Sequence, residues 1–466
     1  MKRNTFLSGM TFNNARTENA MPAHSHSDSA LLDLYFNLGT RNLDTASLKK
    51  LWVPAYEEDP IAAIKILFYN RDVRGGRGER ASFRFLLDHI GTNYLAKLVP
   101  LIPEYGRWDD LLGLLSQEAV REEVWKLITH GLTSGDRLCA KWMPRKGREA
   151  RMLREAFEMS PKTWRKLIVT LSDTVEQKMC AKEWGVIDYN KLPSKAAIKY
   201  AKAFARNDLA RYTAWKEALK KGDAKINVGT LYPHEIVHKI LAYDTEYPVN
   251  EAWNKLLELF PAHSARMLPV CDVSGSMNGL PMEVSISLGI FLSQLNHGPF
   301  KDVFCTFSAE PRLQILKGDL KSRVSQLHCA QWDMNTDLEA VFKLILGAAR
   351  NALVEDIPDT ILILSDMQFD QCIEEPNDNA MQMITRMYAE AGIALPKVVF
   401  WNLRAVLGTL PVKAGHRGAA LVSGFSPSIL KTLVECGNLD NYTPENIMWE
   451  SINVPRYAPI EEALKS

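Results

Sequence analysis

The residues best suited to chemistry lie in the second half of the chain. Asp272-Val273-Ser274-Gly275-Ser276 sets one carboxylate and two hydroxyls close together, directly after the apolar run Met267–Cys271. Carboxylate and hydroxyl oxygens are hard donors, matched to Mg2+ or Mn2+ rather than to zinc. Two more donors follow in order: Thr336, just ahead of a helix that begins at Leu338, and Asp366, just after the run Thr360–Leu364. A site with so few protein charges would keep waters and an open position for an acidic ligand. On their own, Asp272, Ser274 and Ser276 would also suffice to cap the next helix. The five donors in this order favour a cation.

Such donors need a frame, and the text around them supplies one. From residue 263 to 466, short β-branched runs alternate with amphipathic segments. Strands are expected at Met267–Cys271, Asp302–Phe307, Thr360–Leu364, Lys397–Asn402 and Ala419–Val422, with helices at Met282–Leu295, Leu338–Ala349, Met381–Ala391 and Ser426–Glu435. This alternation predicts an α/β domain with a doubly wound, mainly parallel sheet, whose ligands bind beyond the carboxyl ends of the strands. Pro269 cannot donate to a ladder and is expected at the strand entry.

Residues 28–262 read differently. Apolar positions recur at three- and four-residue steps, as in Ile61–Tyr69 and Lys162–Met179, and no β-alternating run is present. This predicts an all-α, helical-repeat-like domain without a fixed sequence period. Residues 1–27, rich in Asn, Ser and His, read as a flexible polar tail. The fold class is therefore α + α/β.

The 466 residues carry a net charge of only +1, but that sum conceals a division. Residues 1–262 hold 40 basic and 32 acidic side chains, whereas 263–466 hold 16 and 23. The excess is concentrated at 137–225, with 22 basic against 10 acidic residues. Such asymmetry points to a nucleic-acid or membrane partner. A membrane is disfavoured, because no run approaches 18 apolar residues and no signal-peptide core follows the N-terminus. Seven dispersed cysteines without a C-x-x-C pair fit reduced thiols. A cytoplasmic protein is the expectation.

Within the basic stretch, Lys141, Arg145, Lys146, Arg148 and Arg151 form one concentration. Lys195, Lys199, Lys202 and Arg206 share one helix face, a stripe able to track phosphates. Trp142, Trp164, Tyr200, Tyr212 and Trp215 are near in sequence and could stack on unpaired bases. The alternative is a solvated cationic face over core aromatics. The turn Arg71-Asp72-Val73-Arg74-Gly75-Gly76-Arg77-Gly78-Glu79-Arg80 offers four guanidiniums and exposed amides for a phosphate. Its plainer reading is a helix connection with Arg paired to Asp72 and Glu79.

Rival chemistry is thinner. His234-Glu235-Ile236-Val237-His238 fits H-E-x-x-H, but a third zinc ligand would have to come from Glu251 or Glu258, and a capping role suffices for His234. Asp333, Asp337, Asp366 and Asp370 make a metal-assisted hydrolase conceivable. No nucleophile elbow or dinucleotide-binding glycine motif is present.

The D-x-S-x-S…T…D arrangement resembles the metal-ion-dependent adhesion site of the von Willebrand factor A domain, over about residues 263–435. The segment RDVRGGRGER (71–80) resembles the signature of a family of unknown function, as do PEYGRWDD (103–110), PSKAAIKYAKAF (193–204), LYPHE (231–235), LILSDMQFDQ (362–371), VVFWNLR (398–404) and ALVSGFSPSIL (420–430). The two-part architecture is similar to that of the TROVE family, the Ro autoantigens, in which a helical ring binds structured or misfolded RNA and is joined to a von Willebrand A-like domain. The resemblance implies a TROVE-like helical domain at 28–262 and a von Willebrand A-like domain at 263–466. It further implies a non-enzymatic RNA-binding protein, binding structured or single-stranded RNA, with Mg2+ or Mn2+ at Asp272, Ser274, Ser276, Thr336 and Asp366 and a protein partner reached through that ion.

Overall fold

The computed structural model describes residues 14–41, 43–260, 265–307, 311–328, 336–350, 352–404, 406–435 and 441–466. Contacts divide the chain into two compact units that do not follow its linear order. The described residues of Met1–Ile66, Tyr232–Asp244 and Trp253–Asn453 form one unit; those of Leu67–Leu231, Thr245–Ala252 and Val454–Ser466 form the other.

The first unit is built on β-strands. A two-stranded ribbon of β1 (Ala15–Arg16) and β2 (Pro22–Ala23) opens it. The main sheet comprises β3 (Met267–Cys271), β4 (Val303–Thr306), β5 (Leu313–Ile315), β6 (Thr360–Ser365), β7 (Lys397–Asn402) and β8 (Ala419–Ser423), in the order β5-β4-β3-β6-β7-β8. Neighbours are parallel except β5, which runs antiparallel to β4. Strands β3, β6 and β8 are buried at every residue. Their near-continuous apolar composition suits a parallel sheet covered on both faces.

The expected strands and helices of this region all form. The strand absent from the sequence reading is β5, a three-residue edge strand whose Leu313 and Ile315 are 41 % and 61 % exposed. So short and solvated a segment has no apolar run to announce it. Pro269 lies inside β3, not at its entry. It is tolerated because its missing N–H falls on the β4 side, where the ladder starts only at Val270.

Residues 14–27 differ from the expected tail. Met21 and Ala23 are buried. Thr17 Oγ1 donates to the Phe369 carbonyl at 2.7 Å, and His24 exchanges backbone hydrogen bonds of 2.9 and 2.8 Å with Leu410. A polar composition does not prevent docking when each polar group finds a partner on the loops it meets. Residues 1–13 lie outside the described residues.

The second unit is helical. The helices Glu118–Thr133, Pro161–Ser172, Ser194–Asn207 and Leu209–Lys221 are its longest. One aromatic core joins Phe68, Phe83 and Tyr105; another joins Tyr189, Phe204, Tyr212 and Trp215.

Candidate functional site

The chain leaves β3, crosses to β4 and β5 on one side, then returns to β6 on the other. The gap between β3 and β6 is thus the point where strand order reverses, the usual place for a ligand crevice in an open α/β sheet. Asp272 directly follows β3 and Asp366 directly follows β6. Both carboxylates are fully buried. Ser274 N–H donates to Asp272 Oδ1 at 2.9 Å, and Ser365 Oγ donates to Asp272 Oδ2 at 2.6 Å. The turn brings Ser274 Oγ and Ser276 Oγ within 3.0 Å of one another. Burial, reinforced by the nearby Asp366 charge, pushes the Asp272 carboxyl up to about 6.

Two residues absent from the sequence reading complete this cluster. Ser365 orients Asp272, and its adjacency to Asp366 was the only signal for it. Arg404, just beyond β7, lies 3.4 Å from Asp366 Oδ2 through Nη1, which also donates to the Ser276 carbonyl at 2.9 Å. The contacts span 38 and 128 residues of sequence, so no local pattern could reveal them.

Thr336 is buried beside the β6 loop, but its hydroxyl is occupied. Thr336 Oγ1 lies 2.9 Å from both the Gln368 carbonyl and Asp370 Oδ1, and it accepts from Asn19 Nδ2 at 2.9 Å. Asp337 caps the helix Leu338–Ala349 through Ala340 N–H. Asp333 lies outside the described residues. Two buried carboxylates and two convergent hydroxyls fit a hard, weakly held divalent ion. Among the described residues, no group of three or more His, Cys, Asp or Glu side chains is placed to hold a metal.

In the helical unit, Lys195, Lys199, Lys202 and Arg206 are all exposed, while Ala197, Ile198, Ala201 and Phe204 on the same helix are buried. Arg145, Lys146 and Arg148 are exposed around the start of the helix Arg148–Ala156, and Lys141 is half-buried against Trp142. The aromatic side chains do not form a stacking platform. Trp164, Tyr212 and Trp215 belong to the core, Tyr200 donates to Glu176, and the Arg107 guanidinium covers the Trp142 ring at 3.8 Å.

The Arg71–Arg80 turn is likewise organised from within. Arg71 is buried and paired with Asp110 at 2.7 Å, and Arg77 is buried against the Tyr69 ring. Only Arg74 and Arg80 of the four guanidiniums are exposed. An exposed four-arginine phosphate cradle is therefore corrected to a structural knot centred on Asp72. That carboxylate accepts from Arg74 N–H at 3.0 Å and from Gly75 N–H at 3.2 Å, and it is clamped by Arg456 and Tyr457. Gly76 is obligatory, since a Cβ there would sit 1.8 Å from the Tyr69 carbonyl oxygen.

The H-E-x-x-H segment forms the helix Pro233–Leu241, but its groups diverge. His234 is buried between Tyr232 and Phe425, Glu235 turns back to cap Tyr232 N–H, and His238 pairs with Glu283 at 3.1 Å.

Comparison with known proteins locates the chain. The model described as domain of unknown function DUF2828 matches residues 17–127 and 137–259. The chain belongs to this family. The DUF2828 match contains Asp72 with its Arg71–Arg80 turn and the Lys195–Arg206 stripe. A second model, domain of unknown function DUF7788, matches residues 266–456 and contains Asp272, Asp366 and Arg404. This DUF2828 protein is also similar to "Uncharacterized protein L728" of Acanthamoeba polyphaga mimivirus. The two are 29 % identical over 495 residues, spanning 93 % of this chain and 86 % of the viral one. The similarity thus runs through both matched regions.

Proposed function

We propose that this DUF2828 protein binds RNA through the cationic face of its helical unit. We further propose that Asp272, Ser274, Ser276 and Asp366 hold Mg2+ or Mn2+, through which an acidic protein partner is taken. The observation that carries the RNA reading is the stripe: four cations line the solvent side of Ser194–Asn207 while its other side is apolar and buried. Held at helical spacing on a packed element, these side chains are positioned to neutralise successive phosphates. Because the nearby aromatics are either in the core or already engaged by Arg107 and Glu176, recognition would rest on backbone and shape rather than on base stacking.

In the sheet unit, Asp272 and Asp366 would supply the charge that holds the ion, and the two serine hydroxyls would complete its protein donors. A bound ion supplies an open position for a carboxylate. Ser365 and the Ser274 amide keep Asp272 aimed at that position. The resemblance of the D-x-S-x-S…T…D order to von Willebrand A domains, and of the two-part design to the Ro autoantigens, supports the assignment. The Thr336 hydroxyl is the weakest member, being committed to Asn19, Gln368 and Asp370. Gel shift and anisotropy titrations with structured and single-stranded RNA at low salt test the RNA reading, which expects binding that weakens steeply with added salt.

A second reading, a metal-dependent scaffold without RNA, is favoured by the burial of Arg71, Arg77, Trp164 and Tyr212. It expects partner capture to be lost on chelation and in Asp272→Ala, with RNA irrelevant.

A further inference from the structure

We propose that Arg404 is the built-in counter-cation of the Asp272–Asp366 crevice, and that its guanidinium and a divalent ion are alternatives on Asp366. The inference rests on the cation reading above and concerns how the site is filled and emptied. Asp366 is fully buried, and Arg404 is its salt-bridge partner among the described residues. Asp272, equally buried, has hydrogen bonds from Ser274 and Ser365 but, among the described residues, no salt bridge. Two carboxylates shielded from water need positive charge nearby, and the guanidinium supplies it.

The geometry shows how that charge is delivered. Arg404 reaches in from the loop after β7, whose backbone is fixed by Arg404 N–H donating to Asn402 Oδ1 at 3.0 Å. The same Nη1 that faces Asp366 also bonds the Ser276 carbonyl, so one side chain ties the β6 carboxylate to the turn carrying both serines. At 3.4 Å the contact with Asp366 is loose, and the side chain is 43 % exposed. A guanidinium so placed can swing to solvent without unpacking the core. Arg71, buried and 2.7 Å from Asp110, illustrates the opposite arrangement, a pair built to stay closed.

A divalent ion drawn to the two aspartates would meet this resident charge. Binding must either displace the guanidinium or bear its repulsion, so wild-type affinity is expected to be held down. Once displaced, Arg404 would stand at the rim of the crevice, able to pair with the carboxylate that completes the ion's coordination. The device would favour loading when ion and acidic partner arrive together.

Mn2+ is the probe, followed by electron paramagnetic resonance of the free ion and by calorimetry on the full chain. Arg404→Gln removes the charge while leaving a polar amide side chain, so it is expected to bind Mn2+ about tenfold more tightly than wild type. Arg404→Lys retains the charge and is expected to stay within about twofold of wild type. If wild type binds one Mn2+ and Arg404→Gln binds it equally or more weakly, the counter-cation role is overturned while the cation site stands. If neither binds Mn2+, and Asp272→Ala changes nothing, the cation site falls and this inference with it.

Discussion

Asn19 Nδ2 donates to Thr336 Oγ1 at 2.9 Å and to the Gln368 carbonyl at the same distance, joining residues 317 and 349 positions apart. The N-terminal segment therefore braces the loop that follows Asp366. Glu18 N–H, which donates to Gln368 Oε1, and Gln371 N–H, which donates to the Asn19 carbonyl, extend the brace.

Removing that brace should loosen the loop before it affects the sheet. Asn19→Ala deletes two hydrogen bonds, and we expect about 1–2 kcal/mol of lost stability. Hydrogen exchange should accelerate at 366–371 and remain slow in β3 and β6. Unchanged exchange at 366–371 would contradict the bracing role.

Asp72 offers a test of the helical unit. Its buried carboxylate joins the Arg71–Arg80 turn to Arg456 and Tyr457 near the chain's end. Asp72→Ala leaves Arg456 without this partner and should cost on the order of 3–5 kcal/mol in chemical denaturation. Pairing it with Arg456→Gln should cost much less than the two single losses combined. Additive losses would show that the two residues do not act as a unit.

The raised pKa of Asp272 makes stability depend on pH. A carboxyl that protonates near 6 when folded and near 3.8 when unfolded stabilises the fold below 3.8, and that contribution is lost as pH rises through 6. At neutral pH without added ions, ionised Asp272 is thus a cost. Asp272→Asn should raise stability by on the order of 2–3 kcal/mol at pH 7.5, with the gain fading toward pH 4. Added Mg2+ should stabilise the wild type and not the variant. Thermal melts across this pH range check both; a variant less stable than wild type at pH 7.5 would contradict the electrostatic account.

Much of the sheet was legible because parallel strands buried on both faces write themselves as apolar runs, as in β6 and β7. The order of Asp272 and Asp366 was legible for the same reason, each standing just after such a run. Arg404 was not, since its role arises only when β7 is laid beside β6. Arg71 and Arg77 misled because basic side chains are usually solvated; here Asp110 and the Tyr69 ring take them inside. The docking of residues 14–27 was hidden by a polar composition that says nothing about where its hydrogen-bond partners lie.

The cationic stripe puts the RNA reading to its most direct test. Reversing Lys195, Lys199, Lys202 and Arg206 to Glu together touches exposed side chains and spares the buried face of Ser194–Asn207. Fluorescence anisotropy with a structured and a single-stranded RNA at about 50 mM salt is the measurement. We expect the wild type to bind at least one of them, and the reversed variant, still folded by circular dichroism, to bind at least about a hundredfold more weakly. Equal binding by the two proteins, or no binding by the wild type, would contradict the account.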